Sequence, residues 1–282
     1  MRIVLSFLFC LLSITYSFSQ QFSVLSWNIK NLGKSKTTEN INKIAEVIAP
    51  ADIICLQEVV AGYGGAQAVA KIVEQLNRKS NIWDYSLSNP TQSSTSNVSE
   101  RYAFIWKKNK FKIKRRFELE SIYANYIERE PYIGSFTYKN IEFKIFNFHA
   151  LPKNKNPEKE IKYFKEYVKI YGTNLMFLGD FNLPNSHSVF NPISKLGFRD
   201  VFIDQKTSLK QQCKNNNCLA NAFDHIFYNT ESFRLIDAKP ILFFNEFKDL
   251  KQARKISDHI PILAIFELIF VPEIKNKSTH SN

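Results

Sequence analysis

Apolar residues fall into short runs along this chain, and most of those runs end in a polar group. Phe22–Trp27 alternates apolar and small polar residues and predicts a first strand. Asn40–Ile48 places Ile41, Ile44, Ala45 and Ile48 at helical spacing, and Pro50 stops it. Ile53–Leu56 reads as a buried strand, and Ala66–Leu76 as a second helix with Val69, Ile72, Val73 and Leu76 on one face. Tyr102–Trp106 predicts a strand, Lys107–Lys110 a turn, and Lys112–Phe117 another strand. Tyr132–Tyr138 and Ile141–Phe148 predict a hairpin across Lys139-Asn140. Glu158–Ile170 is helical, with Ile161, Phe164, Tyr167 and Val168 inward. Leu175–Leu178, Ala222–Tyr228, Ile241–Phe244 and Pro261–Phe266 complete the strands. Strands outnumber helices, and hairpins mix with strand–helix–strand units. That mixture predicts an α/β fold of two packed sheets with helices outside, not one parallel sheet.

The ends stand apart from this pattern. Arg2 followed by the short apolar stretch Ile3–Leu12 and by Ser17-Phe18-Ser19 fits a signal peptide over residues 1–19, with Gln20 or Gln21 as the mature start. That stretch is too short to span a bilayer, and no later one is long and apolar enough. The expectation is a secreted or periplasmic monomer without stable membrane insertion. Residues 20–270 are expected to form one catalytic domain and 271–282 a polar tail that includes His280. Asn89–Ser99, rich in Ser, Thr and Asn, reads as one long loop.

Charge and cysteines narrow the chemistry. Lys and Arg outnumber Asp and Glu 38 to 26, a formal net charge of +12. Such a surface favours a polyanion, meaning nucleic acid or an anionic membrane, although a lysine-rich proteome gives the same bias. Cys55 lies in an apolar run and reads as a small buried residue. Cys213 and Cys218 flank a polar loop and suit a loop-closing disulfide in an oxidising compartment. Their spacing, with no histidine pair nearby, argues against a zinc site.

The polar groups at the strand ends carry the chemistry. They are Trp27-Asn28, Gln57-Glu58, Asn147-Phe148-His149, Gly179-Asp180-Phe181-Asn182, Phe223-Asp224-His225 and Ser257-Asp258-His259. Each alone has an ordinary structural reading. Asp180 and Asn182 fit a turn, Glu58 a solvated charge, and His149 a satisfied core histidine. Six such endings in one chain form a constellation of carboxylates, amides and histidines at strand termini, where open α/β sheets place their sites.

In these residues the chain resembles the endonuclease/exonuclease/phosphatase superfamily, and within it the deoxyribonuclease I branch. The resemblance rests on Trp27-Asn28, Gln57-Glu58-Val59, Glu100-Arg101-Tyr102, Arg129-Glu130-Pro131, His149, Gly179-Asp180-Phe181-Asn182, Asp224 and Ser257-Asp258-His259-Ile260-Pro261, in family order across nearly all of the mature chain. It implies a four-layered α/β sandwich with the site at one edge of two mixed β-sheets. It also implies phosphodiester hydrolysis, with His259 as general base aligned by Asp224 and His149 as general acid supported by Glu100. Glu58, Asn28 and Asp258 would hold Mg²⁺, with Mn²⁺ or Ca²⁺ as alternatives. Asp180 and Asn182 would position phosphate, metal or water, and Arg129 would contact a substrate phosphate. His225 and His187 read as packing and surface residues. The expected activity is a non-specific DNA endonuclease, with a phospholipid phosphodiesterase or another phosphoesterase of the same fold as alternative, and a non-catalytic binding module disfavoured by the intact residue set. Val60 and Val98 stand where that branch carries an arginine and a tyrosine that line the DNA minor groove.

Overall fold

The computed structural model describes residues 21–79, 81–95, 98–215 and 217–269. The expected leader 1–19, Gln20, Phe270, and the 271–282 tail with His280 lie outside the described residues. One six-stranded sheet draws on β1 (Gln21–Leu32), β2 (Ile53–Val60), β3 (Trp83–Leu87) and β4 (Glu100–Lys107). A second uses β5 (Glu118–Leu119), β6 (Tyr132–Tyr138), β7 (Ile141–His149), β8 (Leu175–Asp180) and β9 (Phe198–Asp200). After a small hairpin of β10 (Leu209–Lys214) and β11 (Asn217–Leu219), β12 (Asp224–Asn229) completes the second sheet. β13 (Phe233–Pro240) and β14 (Ile262–Leu268) then return to the first. The strand orders are β13-β14-β1-β2-β4-β3 and β5-β6-β7-β8-β12-β9. Both sheets are mixed, with β1–β2 and β7–β8 parallel among antiparallel pairs.

Period-two alternation separates the layers. Along β1, Phe22 and Val24 face the other sheet, while Leu25, Trp27 and Ile29 face α1 (Thr38–Ile48) and α2 (Tyr63–Asn77). Along β8, Met176 and Leu178 face between the sheets, while Leu175 and Phe177 meet α3 (Glu158–Ile161), α4 (Phe164–Tyr171) and α5 (Asn191–Lys195). Three hydrophobic clusters thus fill the three interfaces of a helix–sheet–sheet–helix sandwich, the architecture expected from the sequence. The central interface is aromatic. Phe104 stacks on Tyr132 and meets Phe117 and Phe136 edge-on, all buried. Each such ring contributes about 1.5–3 kcal/mol by leaving water.

Several expected elements differ in detail. The helix over 158–170 is broken at Lys162–Tyr163 into α3 and α4. The tighter turn keeps the Glu160 carboxylate inside, where it accepts from Glu128 N and Leu151 N. Lys112–Phe117 is not a strand; Lys112 makes one bridge to Thr137, and Phe111 and Phe117 anchor a basic stretch from either side. Ile241–Phe244 is likewise not a strand. The strand there is β13, an edge strand whose bulge at Leu235–Asp237 blurs its alternation. The apolar run after it turns into a 3₁₀ segment that buries Phe243 against Trp27. Cys55 is buried and Cys213 is bonded to Cys218. Among the described residues no helix is long and apolar enough to cross a membrane.

Candidate active site

The same alternation that buries the core brings the polar residues together. Following the inter-sheet face toward one end of each strand, β1 passes from Val24 to Ser26 and Asn28, and β2 from Cys55 to Gln57. β7 passes from Ile145 to Asn147 and His149, and β8 from Leu178 to Asp180. On β12, Asp224 continues the face that carries Ile226, and on β4 Glu100 continues that of Tyr102. His149 pairs in register with Asp180, and Asp180 with Asp224, so the three stand in a row across the second sheet. Behind them Gln57 and Asn147 join the sheets by a 2.6 Å hydrogen bond.

Asp180 is the centre of the arrangement. Its Oδ2 accepts from Asn28 Nδ2 at 3.0 Å and lies 3.5 Å from His149 Nε2 and 3.6 Å from His259 Nε2. Each imidazole has a second carboxylate behind it. His149 Nδ1 sits 2.9 Å from Glu100 Oε2, and His259 Nδ1 2.7 Å from Asp224 Oδ2. Nδ1 of His149 donates to Glu100, so the approach of Arg129 Nη1 to that nitrogen at 3.1 Å is a like-charge contact. Burial and Arg129 oppose the charged form of His149, yet Glu100 and Asp180 outweigh them and raise its pKa above the ordinary histidine value. Burial likewise opposes the charged form of His259, but Asp224 and Asp180 push its pKa up to about 10.

The supporting contacts explain why these residue types are needed. Gly179 has φ +134°, and a Cβ there would lie 1.8 Å from Phe148 O, so only glycine lets β8 approach β7 beside the site. Asn182 has φ +53° and its N–H donates to Asp180 Oδ1, the Asx geometry expected of Asp-x-Asn, while its Nδ2 donates to Ala150 O at 3.0 Å. Ser257 Oγ donates to Asn28 O and accepts from His259 N, and Trp27 Nε1 donates to His259 O. Glu100 also accepts from Glu58 N and Arg129 Nη1, and Arg129 Nη2 donates to Ala150 O. Arg129 is therefore a fixed member of the Glu100 cluster, not a free arm.

Oxygen ligands for a cation lie at one side. Asn28 Nδ2 links Glu58 Oε1 and Asp180 Oδ2, and the buried Oδ1 of Asn28 has no hydrogen-bond partner among the described residues. Glu58 sits at φ +58° on a bulge of β2, which turns its side chain toward Asn28. An orphaned amide oxygen beside a carboxylate suits a hard divalent ion. Asp180, Asp224 and His259 also offer ligand atoms within 4.8 Å of one another. There His259 Nδ1 is already bonded to Asp224, so the all-oxygen pair of Glu58 and Asn28 fits Mg²⁺ better. Asp258 is placed otherwise: its Oδ2 is held by Lys30 Nζ at 2.9 Å and Arg254 Nη2 at 3.2 Å.

Beside Glu58, Glu100 and Arg129 a cleft of about 530 Å³ opens, walled by Val60, Val98 and Lys155 among others. His225 faces the opposite side of β12, bonded to Asp200 and Leu183 O, and His187 caps the 3₁₀ turn Ser188–Phe190 through Val189 N. Sequence reading missed Thr207, Lys30 and Lys36. Thr207 Oγ1 donates to Asp224 Oδ2 at 2.6 Å, and Lys36 Nζ donates to the carbonyls of Lys255 and Ile256 just before Ser257. None belongs to a recognisable motif, and their contacts exist only once distant segments meet.

Residues 25–259 match the model of the Endonuclease/Exonuclease/phosphatase family. Over 261 residues the chain is 23% identical to deoxyribonuclease-1-like 1 of Cricetulus griseus, covering 86% of this chain and 83% of that one. In structure it resembles an endonuclease/exonuclease/phosphatase family protein from Bacteroides thetaiotaomicron, with a TM-score of 0.64, 18% identity, and coverage of 89% of this chain and 98% of the other. A mannosyl-6-phosphatase from the same organism matches with a TM-score of 0.61 at 19% identity, covering 88% of this chain and 100% of its own.

Proposed function

The chain belongs to the endonuclease/exonuclease/phosphatase family, and from that premise we propose that it is a secreted, divalent-metal-dependent nuclease that hydrolyses DNA phosphodiesters. The observation that carries the reading is the pair of imidazoles whose Nε2 atoms flank Asp180 Oδ2, each backed by its own carboxylate. Hydrolysis of a phosphodiester needs one group to take a proton from water and another to give one to the leaving oxygen. His259, aligned by Asp224, is assigned the first task. His149, kept charged by Glu100, is assigned the second. Asp180, bridging both rings, orders them around the phosphorus, and Asn182 and Arg129 hold the neighbouring backbone and the Glu100 side in place. A divalent ion on Glu58 and Asn28 would supply Lewis-acid polarisation of a phosphoryl oxygen and offset the carboxylates that keep His259 charged. The nucleic-acid substrate is supported by the deoxyribonuclease-like relatives and by the +12 charge. Export is supported by the leader pattern and by the disulfide.

A second reading keeps the chemistry and changes the substrate to a smaller phosphate ester. It is favoured by the aliphatic Val60 and Val98 in the cleft wall and by the structural likeness to a sugar phosphatase. A phospholipid substrate is less well supported, because Phe243 and Phe244 are buried. Nicking of supercoiled plasmid with Mg²⁺, with chelator, and with His149→Ala and His259→Ala tests the first reading. Turnover of plasmid at or below that of sphingomyelin or mannose 6-phosphate would overturn it.

A further inference from the structure

Separate from that cleft, a groove of about 780 Å³ runs between the β10–β11 hairpin and the turn of helix α6 (Leu250–Ala253). Lys248, Lys251, Arg254 and Lys255 line one side, and Gln211 and Gln212 the other. Lys248, Lys251 and Lys255 are exposed, and among the described residues none of the three has a carboxylate within 4.0 Å. The acidic residue here, Asp249, is engaged as the cap of α6, accepting from Gln252 N. Lys43, Lys107, Lys110 and Lys169, by contrast, each meet a carboxylate. Three unpaired ammonium groups around one groove cost self-repulsion that an anion relieves.

The groove is tied to the site. Arg254 forms its floor, donating to Leu209 O at 2.6 Å and to Asp258 Oδ2 at 3.2 Å, one residue before His259. Lys36 grips the carbonyls of Lys255 and Ile256 from the β1 side. The Arg254–Asp258 and Lys36 contacts thus join the lining of the groove to the segment that carries His259. Among the described residues none of the exposed large hydrophobic side chains lines this groove, which thus offers no apolar wedge of the kind a lipid surface engages.

We propose that this groove is a phosphate track that holds the backbone of a nucleic-acid strand beyond the scissile bond, through Lys248, Lys251 and Lys255. The inference rests on the nuclease reading, and it assigns polymer affinity to a face that does no chemistry. It replaces groove-reading side chains with sequence-independent charge contacts.

The test compares Lys248→Glu/Lys251→Glu/Lys255→Glu with a charge-matched control, Lys114→Glu/Lys139→Glu/Lys195→Glu, whose lysines are also exposed. Binding of a fluorescent duplex of about 20 base pairs in chelator is followed by anisotropy from about 50 to 200 mM salt. Three lost phosphate contacts should flatten the slope of log K against log salt by about 2–3, since each contributes about 0.9. Affinity at about 100 mM salt should fall at least ten-fold for the groove variant and clearly less for the control. KM for plasmid should rise in parallel while kcat holds. Equal effects of the two variants, or an unchanged slope, would overturn the track. So would loss of binding to anionic phosphatidylglycerol vesicles with plasmid KM unaltered. If the wild type neither binds nor cleaves any nucleic acid but turns over a small phosphate ester, it is the nuclease reading that fails.

Discussion

Replacing Glu100 by Gln removes one negative charge from a buried cluster and changes almost no volume. Glu100 Oε2 lies 2.9 Å from His149 Nδ1, and Arg129 Nη1 lies 3.1 Å from the same atom. At an effective dielectric of about 20 these contacts are worth about 6 kcal/mol of attraction and about 5 kcal/mol of repulsion for the imidazolium. They nearly cancel, so removing the carboxylate charge leaves only Asp180, 3.5 Å from Nε2, against the guanidinium and burial. His149 should then lose its proton below neutral pH. The sign follows from its role. A general acid must be protonated, so activity falls as pH rises through its pKa, and Glu100→Gln should move that alkaline limb about 1–3 pH units toward acid. At about pH 7.5 kcat on plasmid should drop about 100-fold and partly recover near about pH 5. A thymidine p-nitrophenyl phosphate diester, whose leaving group needs no proton, should lose far less. NMR titration of the His149 ring reads the same change directly, with circular dichroism confirming the fold. Equal losses on both substrates, or a limb that stays in place, would refute the assignment of His149 as acid.

Two further outcomes follow from the geometry. Gly179→Ala should lower stability by about 4 kcal/mol or more and abolish activity, because the new Cβ meets Phe148 O at a backbone angle alanine avoids; a urea midpoint within error of wild type would contradict it. Asp52 is buried with Lys107 and Lys110 and the Ser23 N–H, which together outweigh burial and hold its pKa below the usual carboxylate value. Its stabilisation is therefore complete above the unfolded pKa near about 3.9 and is lost as pH falls through the lower folded value. Asp52→Asn should cost about 1.5–3 kcal/mol at about pH 7, and the gap to wild type should close on acidification below about pH 4; a gap that persists at about pH 2 in urea titrations would contradict the linkage.

Long, strongly patterned elements were legible because one side of each is fully buried. The alternation of β1, the continuous apolar run of β8 and the helical spacing of α1 leave little choice of structure. The edge strands were not. Trp83–Leu87 and Phe233–Pro240 are half exposed, so their apolar residues no longer alternate cleanly. The site was legible as far as it lay at strand ends, where Asn28, His149, Asp180 and Asp224 interrupt apolar runs. Glu100 was readable only through Glu100-Arg101-Tyr102, since no apolar run ends there. Thr207, Lys30 and Lys36 were invisible for a different reason. Their partners lie 17, 228 and 220 positions away, and a lone threonine or lysine has no local signature. Asp258 shows the converse: its place in a motif is plain, but its partners Lys30 and Arg254 emerge only from packing.

The row formed by His149, Asp180 and Asp224 belongs to one sheet, while Asn28 and Glu58 belong to the other and His259 precedes a strand of that other sheet. A slip of one residue between β7, β8 and β12 would turn part of the row to the outer face, where His225 and the helices lie. Neither sheet alone holds both imidazole–carboxylate pairs. Assembly is thus itself the switch: a nascent or half-folded chain has every residue of the site and none of its geometry. Both imidazole–carboxylate pairs exist only once the two sheets have closed on each other.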